Sequence, residues 1–260
     1  MTRVLGIEIV SDSLEGVVGK IVCNCRKNGK ENKIISATDA TEIVLANKDP
    51  KFHEVLSSFE MRLPDGMASI WVARLKGDIK AQRCSGADFF EMVLRNSSTE
   101  SINHFFVGGK PELLEKLRAI CENKFKNTNI VGMFSPPFGD ISNESIVDMA
   151  SVINNSFADI VWVFLGTPKQ CYFASKLSKY TKVKYIITVG AAIDFITKNV
   201  TRAPRIIQLL GLEWVFRVMM EPQRLLRRYL NTVLLFFFFS LRELLQVLKI
   251  KFLKSVINQK

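Results

Sequence analysis

Apolar and polar positions alternate in short blocks through the first 200 residues and then change character. Arg3–Val10 reads as a strand, and Asp12–Cys23, opened by a Ser or Asp cap, reads as a helix. Lys33–Ala37 is a short strand, followed by a helical Thr41–Ala46 and a second helix near Phe52–Ser58. Met61–Leu63 leads into the turn Pro64-Asp65-Gly66 and a helix over Met67–Leu75. Ile102–Val107, Asn129–Met133, Ile160–Leu165 and Lys184–Val189 read as strands, with helices over Pro111–Asn123, Glu144–Asn155 and Pro168–Leu177 between them. Strands separated by crossover helices predict an α/β fold with a largely parallel sheet. Helices dominate after about Glu213.

Ligands of such sheets bind beyond the carboxyl ends of the strands. Four glycine-containing polar segments follow strands: LPDGMAS, VGGKPE, LGTPKQ and VGAAIDF. Each puts glycine where the backbone must turn tightly or approach a ligand. FFVGGKPELLEKL has a strand–Gly-Gly–helix layout that suits a phosphate at a helix N-terminus, and equally a simple tight turn. It lacks the GxGxxG spacing, an evident ribose-binding acid and a Walker signature, which disfavours a nucleotide-dependent oxidoreductase.

Composition narrows the chemistry. With 48% hydrophobic and 23% charged residues, the chain is neither disordered, collagenous nor a disulfide scaffold. Its 260 residues suffice for one large domain or two small ones. Cys23, Cys25, Cys84, Cys121 and Cys171 are odd in number and contain no CxxC pair, so reduced, mostly buried thiols are expected. His53 and His104 are the only histidines, too few for a histidine-based triad or a histidine-ligated catalytic metal. The chemistry is expected from carboxylates, amides and arginines.

The formal charge of +11 is concentrated at one end: from Thr201 onward eleven Lys and Arg face three Glu. An anionic partner is expected there. Nucleic acid would fit the charge alone, but RLLRRYLNTVLLFFFFSLRELLQVLKIKFLK interleaves its cations with Leu and Phe. No uncharged apolar run reaches the roughly 18–20 residues of a spanning helix. The pattern points instead to a helix lying in an anionic membrane interface, with a core or oligomer-seam helix as the alternative. The opening MTRVLGIEIV has one basic residue and an apolar stretch interrupted by Glu8, so it does not read as a secretory signal, and a cytosolic protein is expected.

Together, ANKDPKF, LPDGMASIWVARLKG, SGADFF, FFVGGKPELLEKL, VGMFSPPFGD, FLGTPKQ, GAAIDF, VTRAP and GLEWVFRVMMEPQRLLRRYL closely resemble the WecG/TagA/CpsF family of bacterial glycosyltransferases (glycosyltransferase family 26). The resemblance runs from about Arg3 to Tyr229. It implies transfer of a sugar from a nucleotide donor, commonly UDP-linked N-acetylmannosamine or a related hexose. The implied acceptor is a sugar on an undecaprenyl-diphosphate lipid at the cytoplasmic membrane face, in teichoic acid, common antigen, capsule or exopolysaccharide synthesis. The implied reaction is inverting and needs no metal or other cofactor. The implied architecture is a Rossmann-like α/β catalytic domain over residues 1–200. A helical, basic appendage over residues 201–260 would associate peripherally with the membrane and complete the site.

The resemblance places the general base on Asp65, a residue that a Pro-Asp-Gly turn would otherwise use routinely. Arg83 and Gln170 match sugar-contacting positions, and Asp194 one near the nucleotide base, where a carboxylate could equally cap a helix. Arg217, Arg224 and Arg227 match appendage arginines that would close over the diphosphate, and spacings of seven and three put them on one face of a helix. Thr38 and Asp39 fall at the family's Thr-x-Asn motif, although register puts Ala37 at its Thr. Cys171 stands where the family has an acid after Gln170. Both departures touch the donor pocket and leave the donor sugar open. A nonenzymatic membrane-binding module on an α/β scaffold is the rival reading, and it would not need Asp65 and Gln170 at strand ends.

Overall fold

The chain opens as a hairpin. In this computed structural model, which describes residues 1–27, 29, 32–137, 139 and 141–257 (backbone only for 224, 228 and 250–257), β1 (Thr2–Val4) pairs antiparallel with β2 (Ile7–Ile9). The single strand expected over Arg3–Val10 is folded in two, because Leu5 and Gly6 both take positive φ, 48° and 81°, as a two-residue hairpin turn requires. The turn is satisfied from outside: Asn47 Nδ2 donates to the Leu5 carbonyl at 2.8 Å, and the Leu5 N–H donates to Glu243 at 3.1 Å.

After α1 (Leu14–Cys25), capped by Ser13, come β3 (Lys33–Thr38), α2 (Ala40–Lys48), capped by Asp39, and α3 (Pro50–Ser57), with Asp49 as cap and Pro50 in its first turn. Then follow β4 (Met61–Pro64), α4 (Met67–Leu75) and α5 (Gly86–Asn96). The strand-and-helix reading of the sequence passes over α5, although Ala87, Phe90, Val93 and Leu94 recur at helical spacing behind the Ser85 cap. The body continues through β5 (His104–Val107), α6 (Pro111–Asn123), β6 (Ile130–Phe134), α7 (Asn143–Asn155), β7 (Ile160–Val163), α8 (Lys169–Leu177), β8 (Tyr185–Thr188) and α9 (Ala192–Ile196).

The six strands β3–β8 form one parallel sheet in the order β4-β3-β8-β7-β5-β6. Neighbouring side chains leave the sheet on opposite faces, which sorts them into two cores. Phe106 and Trp162 join Phe89, Phe90 and Phe164 on one side, whereas Phe105 and Val161 join Phe52, Leu56 and Phe173 on the other. Phe90 meets Trp162 edge-on at 4.7 Å between ring centres. His104, wholly buried, accepts from Trp162 Nε1 at Nδ1 (3.2 Å) and lies 2.9 Å from the Ser97 hydroxyl at Nε2. Burial drives its pKa down to about 3, so it is a neutral core residue.

The chain ends in α10 (Arg205–Leu209), α11 (Glu213–Met220) and α12 (Pro222–Ile257). Contrary to the one-helix reading of the arginine spacing, α11 stops at Glu221 (φ −136°, ψ 61°) before Pro222. Proline disfavours helical backbone in the preceding residue, so Arg217 sits on a different helix from residues 224 and 227. One face of α12 docks on the body through Leu225 and Phe236, which are buried, and through a 2.8 Å ion pair between Glu243 and Lys76. Leu234, Phe237, Phe238, Leu245 and Leu248 remain exposed. By length and composition, Leu225–Lys249 (mean hydropathy 1.4) is long and apolar enough to cross a membrane. Counting uncharged runs misses this because Arg227, Arg228, Arg242 and Glu243 interrupt the stretch.

Candidate active site

A cavity of about 700 Å³ opens beyond the carboxyl ends of the strands on the β4 side of the sheet. That volume is within the range of small-molecule sites. Three of the four strand-end segments line it: Asp65–Ala68 after β4, Gly166, Thr167 and Gln170 after β7, and Gly190–Ala192 with Asp194 after β8. The fourth does not. β5 and β6 lie at the opposite edge, so Gly108 and Gly109 turn against Phe164 and Ile193 outside the lining, as a tight turn does. Segments beyond residue 201 close the remaining side. Arg202, Gln208, Glu213, Trp214 and Arg217 face the polar half, and Val233, Phe236, Phe237, Leu241 and Leu244 join Met67, Trp71 and Leu75 around an apolar half.

Asp65 lines the polar half. Its N–H donates to the Thr38 carbonyl at 3.0 Å, and its Oδ1 accepts the N–H of Gly86 at 3.2 Å. Among the described residues Oδ2 accepts no hydrogen bond, and Asp65 lines the cavity. The surrounding protein removes water from the carboxylate and pushes its pKa up to about 8; Arg83 opposes that rise, while Glu213 and Asp39 add to it. Gly86 permits the approach. A Cβ there would sit 3.0 Å from the Val189 carbonyl and 3.1 Å from Ala37 Cβ.

Three guanidiniums line the cavity: Arg83, Arg202 and Arg217. Arg83 donates to Glu213 at 2.6 Å and to Gln208 at 3.0 Å. Arg202 grips Asp88 through two bonds of 2.6 and 2.9 Å. Although burial favours the neutral acid, the Arg202 and Ser85 contacts outweigh it and hold Asp88 below its usual pKa. Arg217 stacks over Phe195 at 5.3 Å and donates to the Tyr229 hydroxyl at 3.4 Å. Its Nε is buried without a hydrogen bond among the described residues, as is that of Arg202, which lies 3.9 Å from Glu213 Oε1. Fixed cations aimed into a pocket in this way suit an anionic ligand.

Gln170 is buried, with Oε1 on the Gly190 N–H (2.9 Å) and Nε2 on Glu42 (2.9 Å). Asp39 lines the cavity, and its side chain caps α2 by accepting from the Glu42 N–H. Asp194 also lines it and accepts from Asn199 at 2.8 Å. Thr38 is buried at the strand end, outside the lining, and among the described residues its hydroxyl has no hydrogen-bond partner. Arg227 is exposed and outside the lining, and the Arg224 side chain lies outside the described residues. Arg202, Glu213 and Glu42 are the site residues that the sequence reading misses. Arg202 and Glu213 sit in VTRAP and GLEWVF, next to quoted motif positions, whereas Glu42 carries no local signal at all.

The cysteines are free; Cys25, Cys84, Cys121 and Cys171 are buried, and Cys23 is exposed. Burial pushes the thiols of Cys25, Cys84 and Cys121 up to about 12, which makes them inert. Among the described residues no three His, Cys, Asp or Glu side chains gather in a way that would hold a metal ion.

A parallel α/β sheet with a carboxyl group and arginines around a strand-end cavity is an arrangement that can take an anionic small molecule, and the family match gives the class: the protein is a glycosyltransferase. The chain belongs to the WecG/TagA/CpsF family of glycosyl transferases, whose family model matches residues 2–249. That membership sets aside both the oxidoreductase and a purely nonenzymatic membrane module.

Proposed function

We propose that the protein transfers an N-acetylmannosamine-type or related hexose from a UDP-sugar to a sugar on an undecaprenyl-diphosphate lipid, with inversion and without a metal. The observation that carries this reading is that Asp65 and, among the described residues, three arginines line the same cavity. The acceptor hydroxyl attacks the anomeric carbon as Asp65 takes its proton, and the bond to UDP breaks with its electron pair on the diphosphate. Arg217, with Arg202 and Arg83 beside it, would receive that charge in place of a divalent cation. Of the three appendage arginines expected at the diphosphate, Arg217 is the one whose described side chain lines the cavity. Asp194 and the Gly190 turn would hold the nucleotide, while Thr38, Asp39, Arg83 and Gln170 shape the sugar end.

The apolar half supports a lipid acceptor. Phe236, Phe237 and Leu241 of α12 continue the cavity toward the exposed face of the same helix. With its cations, that face suits peripheral attachment to the anionic inner surface of a bacterial membrane, in service of a cell-surface polysaccharide. UDP release with a panel of UDP-sugars and a lipid-diphosphate-sugar acceptor tests the reading. Asp65→Asn is expected to lower turnover by at least about a hundredfold with the fold retained. Unchanged turnover removes Asp65 from the role, and no UDP release from any donor removes the reading.

A further inference from the structure

Behind the cavity wall, Glu42 of α2 is wholly buried, and among the described residues no cation lies against it. Its Oε2 accepts from the Ser36 hydroxyl of β3 at 2.8 Å. Its Oε1 accepts from Gln170 Nε2 at 2.9 Å, Thr167 Oγ1 at 3.1 Å and Cys171 Sγ at 3.4 Å. Four donors from two stretches of the chain, β3 and residues 167–171, thus converge on one carboxyl group. An acid buried without a counter-charge is costly, and an apolar residue of similar volume would pack there more cheaply unless the group has a task.

The task is legible one residue further on. Gln170 can turn its terminal amide either way, and the two orientations are not equivalent here. With Nε2 toward Glu42 Oε1, on which Thr167 and Cys171 also converge, Gln170 Oε1 faces the Gly190 N–H and receives it at 2.9 Å. The flipped amide would set an NH₂ against the Gly190 N–H, two donors face to face, so the contact that holds the turn would fail. Gly190 begins the cavity-lining turn after β8 in left-handed backbone, φ 55°.

We infer that Glu42 is a positioning residue: by fixing the orientation of the Gln170 amide it holds the Gly190 turn, and with it one wall of the cavity, in place. Its connection to nucleotide-sugar binding rests on the function proposed above; its control of the Gly190 turn does not.

Amide hydrogen exchange of the full chain across residues 188–194, at neutral pH, tests the inference directly. In Glu42→Leu the Gly190 turn is expected to exchange about fivefold faster or more, the effect of one lost hydrogen bond. Glu42→Gln keeps an acceptor facing Gln170 and is expected to restore most of the protection. The Cys171 sulfur touches the same carboxylate oxygen, so Glu42→Ala/Cys171→Glu moves the acid across the cluster and should restore protection too. UDP affinity, measured by calorimetry, should follow the same order, with donor KM rising more than kcat falls. Equal exchange in the parent and Glu42→Leu overturns the inference, as does a loss in Glu42→Gln equal to that in Glu42→Leu. If Glu42→Leu does not fold, the relocated acid decides: restored protection supports the inference, and its absence refutes it. Should UDP fail to bind the parent chain, the proposed function falls, and the exchange data still judge Glu42.

Discussion

The backbone N–H of Gly86, in the first turn of α5, points at Oδ1 of Asp65 from 3.2 Å. One oxygen is thereby anchored by a helix N-terminus, and the other has no such anchor among the described residues. Gly86→Ala would push a methyl group against the Val189 carbonyl and Ala37, lifting α5 from the strand ends. We expect kcat to fall at least about tenfold while the protein stays folded, since the shift needed is a few tenths of an ångström. A variant with parental kcat would show that the anchor is dispensable.

Burial sets the pH at which Asp65 can act. With its pKa pushed up to about 8, only the ionised minority serves as base at neutral pH, and kcat/KM should climb with pH to a plateau above about 8. Arg83→Met removes the charge that pulls this pKa down, so the midpoint should move up. Glu213→Gln removes one that pushes it up, so the midpoint should move down. A rate that is flat between about pH 6 and 9 refutes the assignment.

The same group costs stability as pH rises. The folded state holds a proton that the unfolded chain releases near 3.8, so the contribution of Asp65 is greatest below that pH and is lost on rising through about 8. Asp65→Asn should therefore gain on the parent between pH 5 and pH 8, by roughly a few kcal/mol in urea unfolding. An equal effect at both values contradicts the raised pKa.

His104 acts in the opposite direction. Its pKa falls from 6.5 to about 3 on folding, so the unfolded chain binds the extra proton and stability drops as pH falls below 6.5. Between pH 6.5 and 5 this amounts to about 2 kcal/mol. His104→Gln loses the Trp162 and Ser97 contacts and should be less stable at pH 7, yet its stability should vary less over that interval. A variant that keeps the parental acid slope would place the proton uptake elsewhere.

The outer face of α12 offers a test of membrane attachment. Leu234, Phe238 and Leu245 are exposed, lie outside the cavity lining and share one helical face at spacings of four and seven. Replacing all three with Ser should reduce flotation with anionic phospholipid vesicles at least about tenfold, while UDP binding is retained. Flotation equal to that of the parent would move the membrane contact off this face.

Much of the fold is visible in the linear pattern. α4 and α6 have the ends their periodicity predicts, and the parallel sheet follows from strands alternating with helices. Where the pattern misleads, a local event overrides it: the positive φ of Leu5 and Gly6 folds one apparent strand into two, and Pro222 breaks one apparent helix. The site is less legible. The strand-end segments that hold Asp65, Gln170 and Asp194 are legible, and the resemblance picks out those residues within them, but Arg202, Glu213 and Glu42 acquire meaning only from partners far away in the chain.

By itself, then, the sequence determined the elements and their order, because period and capping are local consequences of which side chains must avoid water. Only the tertiary structure decided which strand ends share a cavity, since β5 and β6 went to the far edge and took the Gly-Gly turn with them. It also brought Glu213 to Arg83 across 130 residues, and Gln170 to Glu42 across 128. Charge state at Asp65 was decided there too, because desolvation depends on everything packed around the carboxylate and not on the Pro-Asp-Gly turn that carries it.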